Sequence, residues 1–309
     1  MARIVLVGAV ILPPTLLMGG SLPLFCRQFV QSRGRIGATV GRLYALNTLG
    51  AAGGCAAAGF VLLPALGLRR TLWIGALLSL VAGAAAAASR PPAVAATAAR
   101  ERRRRGPDPW PGALVPALCF GTGFVAVGYE VLWTRFLALL VRTTVHTYTL
   151  SLTVVLLGLV LGSWMASWVS DRVHARATLF GILPVLGGLT MLSTMLLPPA
   201  TWRDLGSETC TCMVLALAPA ALSGAAFTLA VRLLVEEPGL AAGVAGALSA
   251  VNTQGEIAGS VLVGFVALPH RMRPTASLPR SGQAPRMSWN LRPLEQSGLR
   301  HGYQVLLEA

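Results

Sequence analysis

No lysine occurs among the 309 residues, so all 25 basic side chains are arginines, set against 11 acidic ones. Charged residues make up only 12% of the chain. A soluble domain ordinarily carries about 25%, so the polar surface that a water-facing globule of this length needs is missing. Cysteine is scarce as well. Five are scattered, and Cys210 and Cys212 form a lone C-x-C with no second pair, which excludes a zinc framework. No Ser/His/Asp grouping, paired cysteine or carboxylate dyad stands out, and no glycine-rich nucleoside loop is followed by acidic residues. The sequence therefore implies no metal and no cofactor, and with no residue set to bind a nucleoside donor, catalysis by these residues alone is not expected.

What is abundant is apolar sequence. Hydrophobic residues make up 54% of the chain and the mean hydropathy is +0.67. Several runs reach the roughly 20 residues that cross a bilayer. They cover 4–25, 37–66, 72–88, 113–141, 148–169, 179–197, 213–234 and 242–268, about eight spans in all. The run at 4–25 is too long for a signal peptide and matches an internal segment, so it reads as a span. The run at 113–141 is interrupted by polar residues, which leaves room for two parts. Gly158, Gly162, Ala166 and Ser170 recur at four-residue spacing and make a seam for close helix approach. The net charge of +14 would suit nucleic acid, but the arginines sit in short loops between spans, where they orient a membrane protein. The expected fold is an all-α polytopic membrane protein whose main partner is the lipid bilayer, with no nucleic acid.

One stretch occurs twice. Val40–Pro64, VGRLYALNTLGAAGGCAAAGFVLLP, returns 205 residues later as AGALSAVNTQGEIAGSVLVGFVALP. Asn47-Thr48 pairs with Asn252-Thr253 and Phe60-Val61 with Phe265-Val266. At the same offset Pro14 pairs with Pro219, Gly19 with Gly224 and Arg27 with Arg232. The first span thus matches the seventh and the second matches the eighth. A unit of six helices keeps one orientation in both copies, which is a parallel repeat of the major-facilitator kind. Residues 1–89 then hold the last three helices of a first unit, 90–112 a basic Arg/Pro-rich cytoplasmic linker, and 113–269 the first five helices of a second unit. Residues 270–309 form a polar Arg/Pro-rich tail, expected to be disordered and unlike the rest in character. Thirteen arginines fall in the loops at 27–42, 90–112, 172–176 and 232–240 against five on the opposite side, which places those loops in the cytoplasm. The six arginines of the tail pull the other way.

Residues 13–25 (PPTLLMGGSLPLF), 40–54, 59–73, 128–140 (GYEVLWTRFLALL) and 154–172 resemble the membrane part of spermidine synthase-like integral membrane proteins. The resemblance covers roughly residues 1–269, and its most specific pieces are Tyr129–Arg135 and the repeated Asn-Thr-x-Gly. It implies a major-facilitator-like helical region joined to a soluble aminopropyltransferase-like domain, in the inner membrane of a bacterium. It also implies opening helices ahead of Met1 and a further helix after Pro269, neither of which these residues contain. The function so implied is to anchor, or pass substrate to, a polyamine-type transferase domain carried elsewhere. The alternatives are a transporter of a small cation such as a polyamine, working with a second copy or partner chain, and a nonfunctional remnant.

The candidate site residues are those whose charge or polarity is costly inside a membrane. An ionisable group near mid-helix costs on the order of 3 kcal/mol on insertion scales. Glu130 reads either as one end of an interhelical ion pair or as a proton- or cation-coupling group, and Arg135, five positions on, lies on a different face. Glu256 replaces Ala51 of the first copy, so the fold does not require it. With Asn252, Thr253 and Gln254 it makes the most polar turn of any span, suited to a cation or to a polar interhelical contact. Asn47 and Asn252 read as repeat-wide hydrogen bonders or as ligands. Gly50-x-x-x-Gly54 and Gly255-x-x-x-Gly259 are expected to be close-packing faces. Pro14 and Pro219 mark candidate kinks, and Ser170-Asp171-Arg172 is similar to the cytoplasmic gating loop of facilitator-type transporters. His146, beside a loop, reads as an interface residue.

Overall fold

A computed structural model describes residues 2–88, 114–140, 145–196, 208–235 and 237–267. The described residues are 94% helical, without a strand, so the fold is all-α. The linker at 90–112 and the tail at 270–309 lie outside the described residues.

Helix α1 (Ala2–Gly19) and α2 (Ser21–Phe29) are separated at Gly20, and a 3-10 turn at Arg33–Arg35 leads into α3 (Ile36–Ala56). A π-helical turn, Ala57–Leu62, joins α3 to α4 (Leu63–Ala88). There follow α5 (Leu114–Leu140), α6 (Val145–Val169), α7 (Arg176–Leu196) and α8 (Glu208–Leu234). A second 3-10 turn, Pro238–Leu240, then opens α9 (Ala241–Val261), which ends in a second π turn, Leu262–Ala267. The 3-10 turn, helix and π turn around α3 and those around α9 begin and end 205 residues apart, the offset of the sequence repeat.

Small residues decide which helices touch. Lipid is as apolar as leucine, so helices associate in a membrane through close packing rather than through expulsion from water. Gly158 and Gly162 of α6 lie against Leu217, Ala220 and Ala221 of α8, and Gly224 of α8 returns the contact to Leu159 and Ser163. On the other side of α6, Gly41 of α3 faces Ser163 and Ser167, and Gly59 faces Thr149. Helix α6 is therefore clamped between α3 and α8 along the seam its spacing predicts, with Ala166 and Ser170 both buried. Ser163 Oγ donates to Leu159 O at 2.6 Å and lies 3.3 Å from Gly224 O, the second contact crossing to α8. A second close pair is α5 with α9, where Gly255 and Gly259 sit on Phe120 and Phe124.

Apolar contacts consolidate the two ends of the bundle. At one end Leu22, Cys26, Ile36, Val231, Val235 and Leu248 are buried together; at the other, Tyr129 and Trp133 pack with Met191 and Ala216. By contrast α4 buries no residue, and the described side chains of α1 are exposed. Leu72, Trp73, Leu77 and Leu80 are all more than 60% exposed, a surface suited to lipid.

Among the described residues six helices are long and apolar enough to span a membrane, which makes this a multi-pass membrane protein. The expected count of about eight spans departs from this at two places. The second and third expected spans form one helical run, Ile36–Ala88, of 53 residues. At 1.5 Å per residue that exceeds one bilayer crossing more than twofold, and the run breaks at Gly67, whose φ of 74° is left-handed. Helix α9 is not among the six, because Asn252, Gln254 and Glu256 lower its hydropathy. Other expectations are also corrected. The run at 113–141 is one helix, not two parts. Pro14 and Pro219 do not break their helices, because α1 and α8 continue through them and the interruption falls at Gly20 instead. Cys210 and Cys212 lie in the first two turns of α8 rather than in a loop.

Candidate functional site

The most ordered polar group lies where α3, α6 and α8 meet. The first N–H groups of a helix have no intrahelical acceptor and carry the positive end of its dipole. At α3 the Gly37 and Ala38 N–H groups donate to Asp171 Oδ1 and Oδ2 at 3.1 and 2.7 Å. Asp171 follows α6, more than 130 residues away in sequence. Its Oδ1 also accepts from Arg232 Nε at 2.7 Å, an ion pair whose side chains are 12% and 15% exposed. Arg232 Nη1 donates in turn to Val235 O at 3.0 Å, bracing the end of α8. Arg176 Nε and Nη2 donate to Ser170 O at 2.8 Å and Asp171 O at 3.2 Å, which fixes the loop that carries the acid. Gly37 must be glycine, since a Cβ there would overlap Ser170.

One carboxylate thus fastens three helices at the end assigned to the cytoplasm. Of the expected loop motif, Asp171 does the work; Arg172 is exposed, Arg176 holds the loop through backbone carbonyls, and the acid's basic partner is Arg232. The Arg232 partnership was missed in the sequence. Its signal was present, because Arg27 and Arg232 recur in one register.

The second group lies between α5 and α9. Asn252 Nδ2 donates to Glu256 Oε1 at 2.6 Å, one turn along the same helix. Gly123 of α5 faces the Asn252 backbone and side chain, so the polar turn is pressed against α5. Glu130 lies about two turns further along α5 than Gly123, and Glu130, Glu256 and Tyr44 of α3 are each half-buried. Tyr44 is itself held by Phe227, with ring centroids 4.8 Å apart. Among the described residues no arginine pairs with either acid. The side chain of Arg135 lies outside those residues.

The structure divides the rest of the sequence-derived patch. Thr253 and Gln254 are exposed on the opposite face of α9 from Gly255 and Gly259, so they do not join Glu256. Asn47 is exposed and lines a groove of about 390 Å³ with Phe25, Phe29, Leu43, Leu46 and Gly50; it does not meet Asn252. Of the two Gly-x-x-x-Gly faces, only Gly255–Gly259 is packed among the described residues, while Gly50 and Gly54 have no described neighbour within 4 Å. Pro219 is buried in the α8 core and Pro14 is exposed, so the two do not line a common cavity. His146 stacks on Phe60, with centroids 5.9 Å apart, as an interface residue would. No group of His, Cys, Asp and Glu suited to a metal occurs among the described residues. The chain matches no family model, no curated protein and no solved structure.

Proposed function

We propose that this chain is the cation-handling membrane region of a protein of the spermidine synthase-like membrane kind, built of about eight spans related by a partial six-helix parallel repeat. The bundle holds a small organic cation, such as a polyamine, between α5 and α9. It anchors, or supplies that cation to, an aminopropyltransferase-like domain carried outside these residues. A bacterial inner membrane is the setting that fits.

The observation that supports this reading is the pair Glu130 and Glu256. Each carboxylate is half-buried on one of two packed helices, and no described arginine pairs with either. A bound cation would neutralise them, and a polyamine carries several charges along its length, which suits two acids set about two turns apart. The amide of Asn252 holds Glu256 in one rotamer, and the Tyr44 hydroxyl adds a further polar group. Transport of the same cation is a second reading, favoured by the Asp171–Arg232 contact, which joins three helices at one end through a few breakable bonds.

Spermidine binding to the purified chain in nanodiscs tests the proposal. A charge-assisted contact is worth about 1.5–3 kcal/mol, and each 1.4 kcal/mol is tenfold in affinity. Glu130→Gln and Glu256→Gln should each weaken binding about tenfold or more. Equal binding by the wild type and both variants would sink the proposal. Uptake into sealed proteoliposomes separates the transporter from a membrane region that only delivers to a fused domain.

A further inference from the structure

The two π turns, Ala57–Leu62 and Leu262–Ala267, each come just before a proline, Pro64 and Pro269. A proline ring clashes with the carbonyl four residues back and brings no N–H to it. That carbonyl belongs to Phe60 in one copy and to Phe265 in the other. Widening the turn relieves the clash, and Leu63 N–H accordingly donates to Ala58 O, five residues back. It does not replace the donor, because bonding at that longer interval would call on the same proline for Gly59 and Gly264. Pro269 lies outside the described residues, yet its residue type alone removes the N–H. Each turn is thus left with a carbonyl short of a backbone donor, which is costly in lipid unless a neighbour meets it.

The neighbours of the two turns differ. At the first, Gly59 rests on Thr149 and Phe60 stacks on His146, and α6 carries no acid. At the second, a Cβ on Gly128 of α5 would lie 3.2 Å from Val263 Cγ2, inside the π turn. Glu130 follows two residues later and seven after Gly123, so it shares the face of α5 that meets Asn252 of α9. Side chains lean toward the start of their helix, which carries the Glu130 carboxylate back to the level of Val263. A half-buried carboxylate and a carbonyl short of a donor therefore stand at one height between two packed helices. Both are acceptors, and no described arginine pairs with the acid. We propose, resting on the cation reading above, that Glu130 and the second π turn form a subsite for a primary ammonium group. Such a group has three donors and no acceptor, enough for the carboxylate and the carbonyl together. A quaternary ammonium carries the same charge but no N–H, and leaves the carbonyl unmet. Glu256 already accepts from the Asn252 amide and is the less demanding end, so the primary amine end of the ligand sits toward the π turn.

Binding to the purified full chain in nanodiscs tests this with hexane-1,6-diamine and its quaternary counterpart hexamethonium, which carry equal charge. The wild type should bind the diamine about tenfold or more tightly. The tertiary tetramethyl diamine, with one N–H at each end, should fall between them. Pro269→Ala returns an N–H to the turn and should bring the affinities together without weakening hexamethonium. Pro64→Ala makes the same repair at the first turn and should leave the preference as it was. Equal binding of all three amines by the wild type, which needs no variant to fold, would overturn the proposal. A preference that survives Pro269→Ala would overturn it as well. Spermidine binding that still depends on Glu130 would in either case leave the cation reading standing, whereas binding of no amine at all would end both.

Discussion

Asp171 and its neighbour Ser170 are adjacent in sequence, yet they differ in what their loss would cost. Asp171 accepts three charge-assisted or helix-terminal hydrogen bonds, and removing one member of a largely buried ion pair costs about 3–5 kcal/mol. Asp171→Ala should therefore lower stability by about 3 kcal/mol, read as a lower melting temperature in detergent. Combined with Arg232→Ala, the double variant should lose less than the sum of the single losses. Ser170 Oγ is buried without a hydrogen-bond partner. An orphaned hydroxyl carries an unrepaid desolvation cost of about 1–3 kcal/mol, so Ser170→Ala should leave the melting temperature unchanged or raise it. At this scale the sequence was only partly legible. Asp171 could be singled out because it follows a glycine-rich helix. Its partners could not, because the Gly37 and Ala38 N–H groups are backbone donors and leave no mark in residue type.

At the scale of the helix, the same glycine substitution should have opposite signs at repeat-related positions. A Cβ at Gly162 would overlap the Ala221 backbone, and one at Gly255 would overlap Phe120. Overpacking costs about 1–3 kcal/mol, so Gly162→Ala and Gly255→Ala should each lower the melting temperature. Gly50 has nothing within 4 Å and sits in mid-helix. Gly50→Ala should stabilise the isolated chain by about 0.5–1 kcal/mol through helix propensity alone. The seam of α6 was readable because its small residues recur every four positions on one helix face. In residue type Gly50–Gly54 and Gly255–Gly259 look alike. Which of them is covered depends on a third helix, and Phe120 and Phe124 carry no local sign of which glycines they will meet.

For the whole molecule, the arginine distribution and the packing agree on one end. Gly37, Asp171 and Arg232 meet there, and the loops that supply them are those the positive-inside rule puts in the cytoplasm. Arg172→Cys, at an exposed position, should react with a membrane-impermeant maleimide only in inside-out vesicles. Leu68→Cys, at an exposed position beside the break in the α3–α4 run, should react only in right-side-out ones. Labelling of both from one side would refute the orientation. The all-helical membrane class was legible from hydropathy alone. The number of spans was not, since polar residues in α9 and an unbroken helical run across Ala57–Leu66 blur the counting that hydropathy allows.

The fastening of the two ends also differs in kind. At the Asp171 end α3 is held to α6 by an acid and two amide donors, with Arg232 of α8 joining the same acid; at the opposite end it is held by Gly59 on Thr149 and by the Phe60–His146 stack. Directional bonds tolerate little sliding, whereas a smooth contact between a glycine and a threonine resists shear only weakly. Helix α3 is thus pinned by charge-assisted bonds at Asp171 and by fewer directional bonds near the π turn, so a shift of α3 against α6 at the π turn breaks fewer of them.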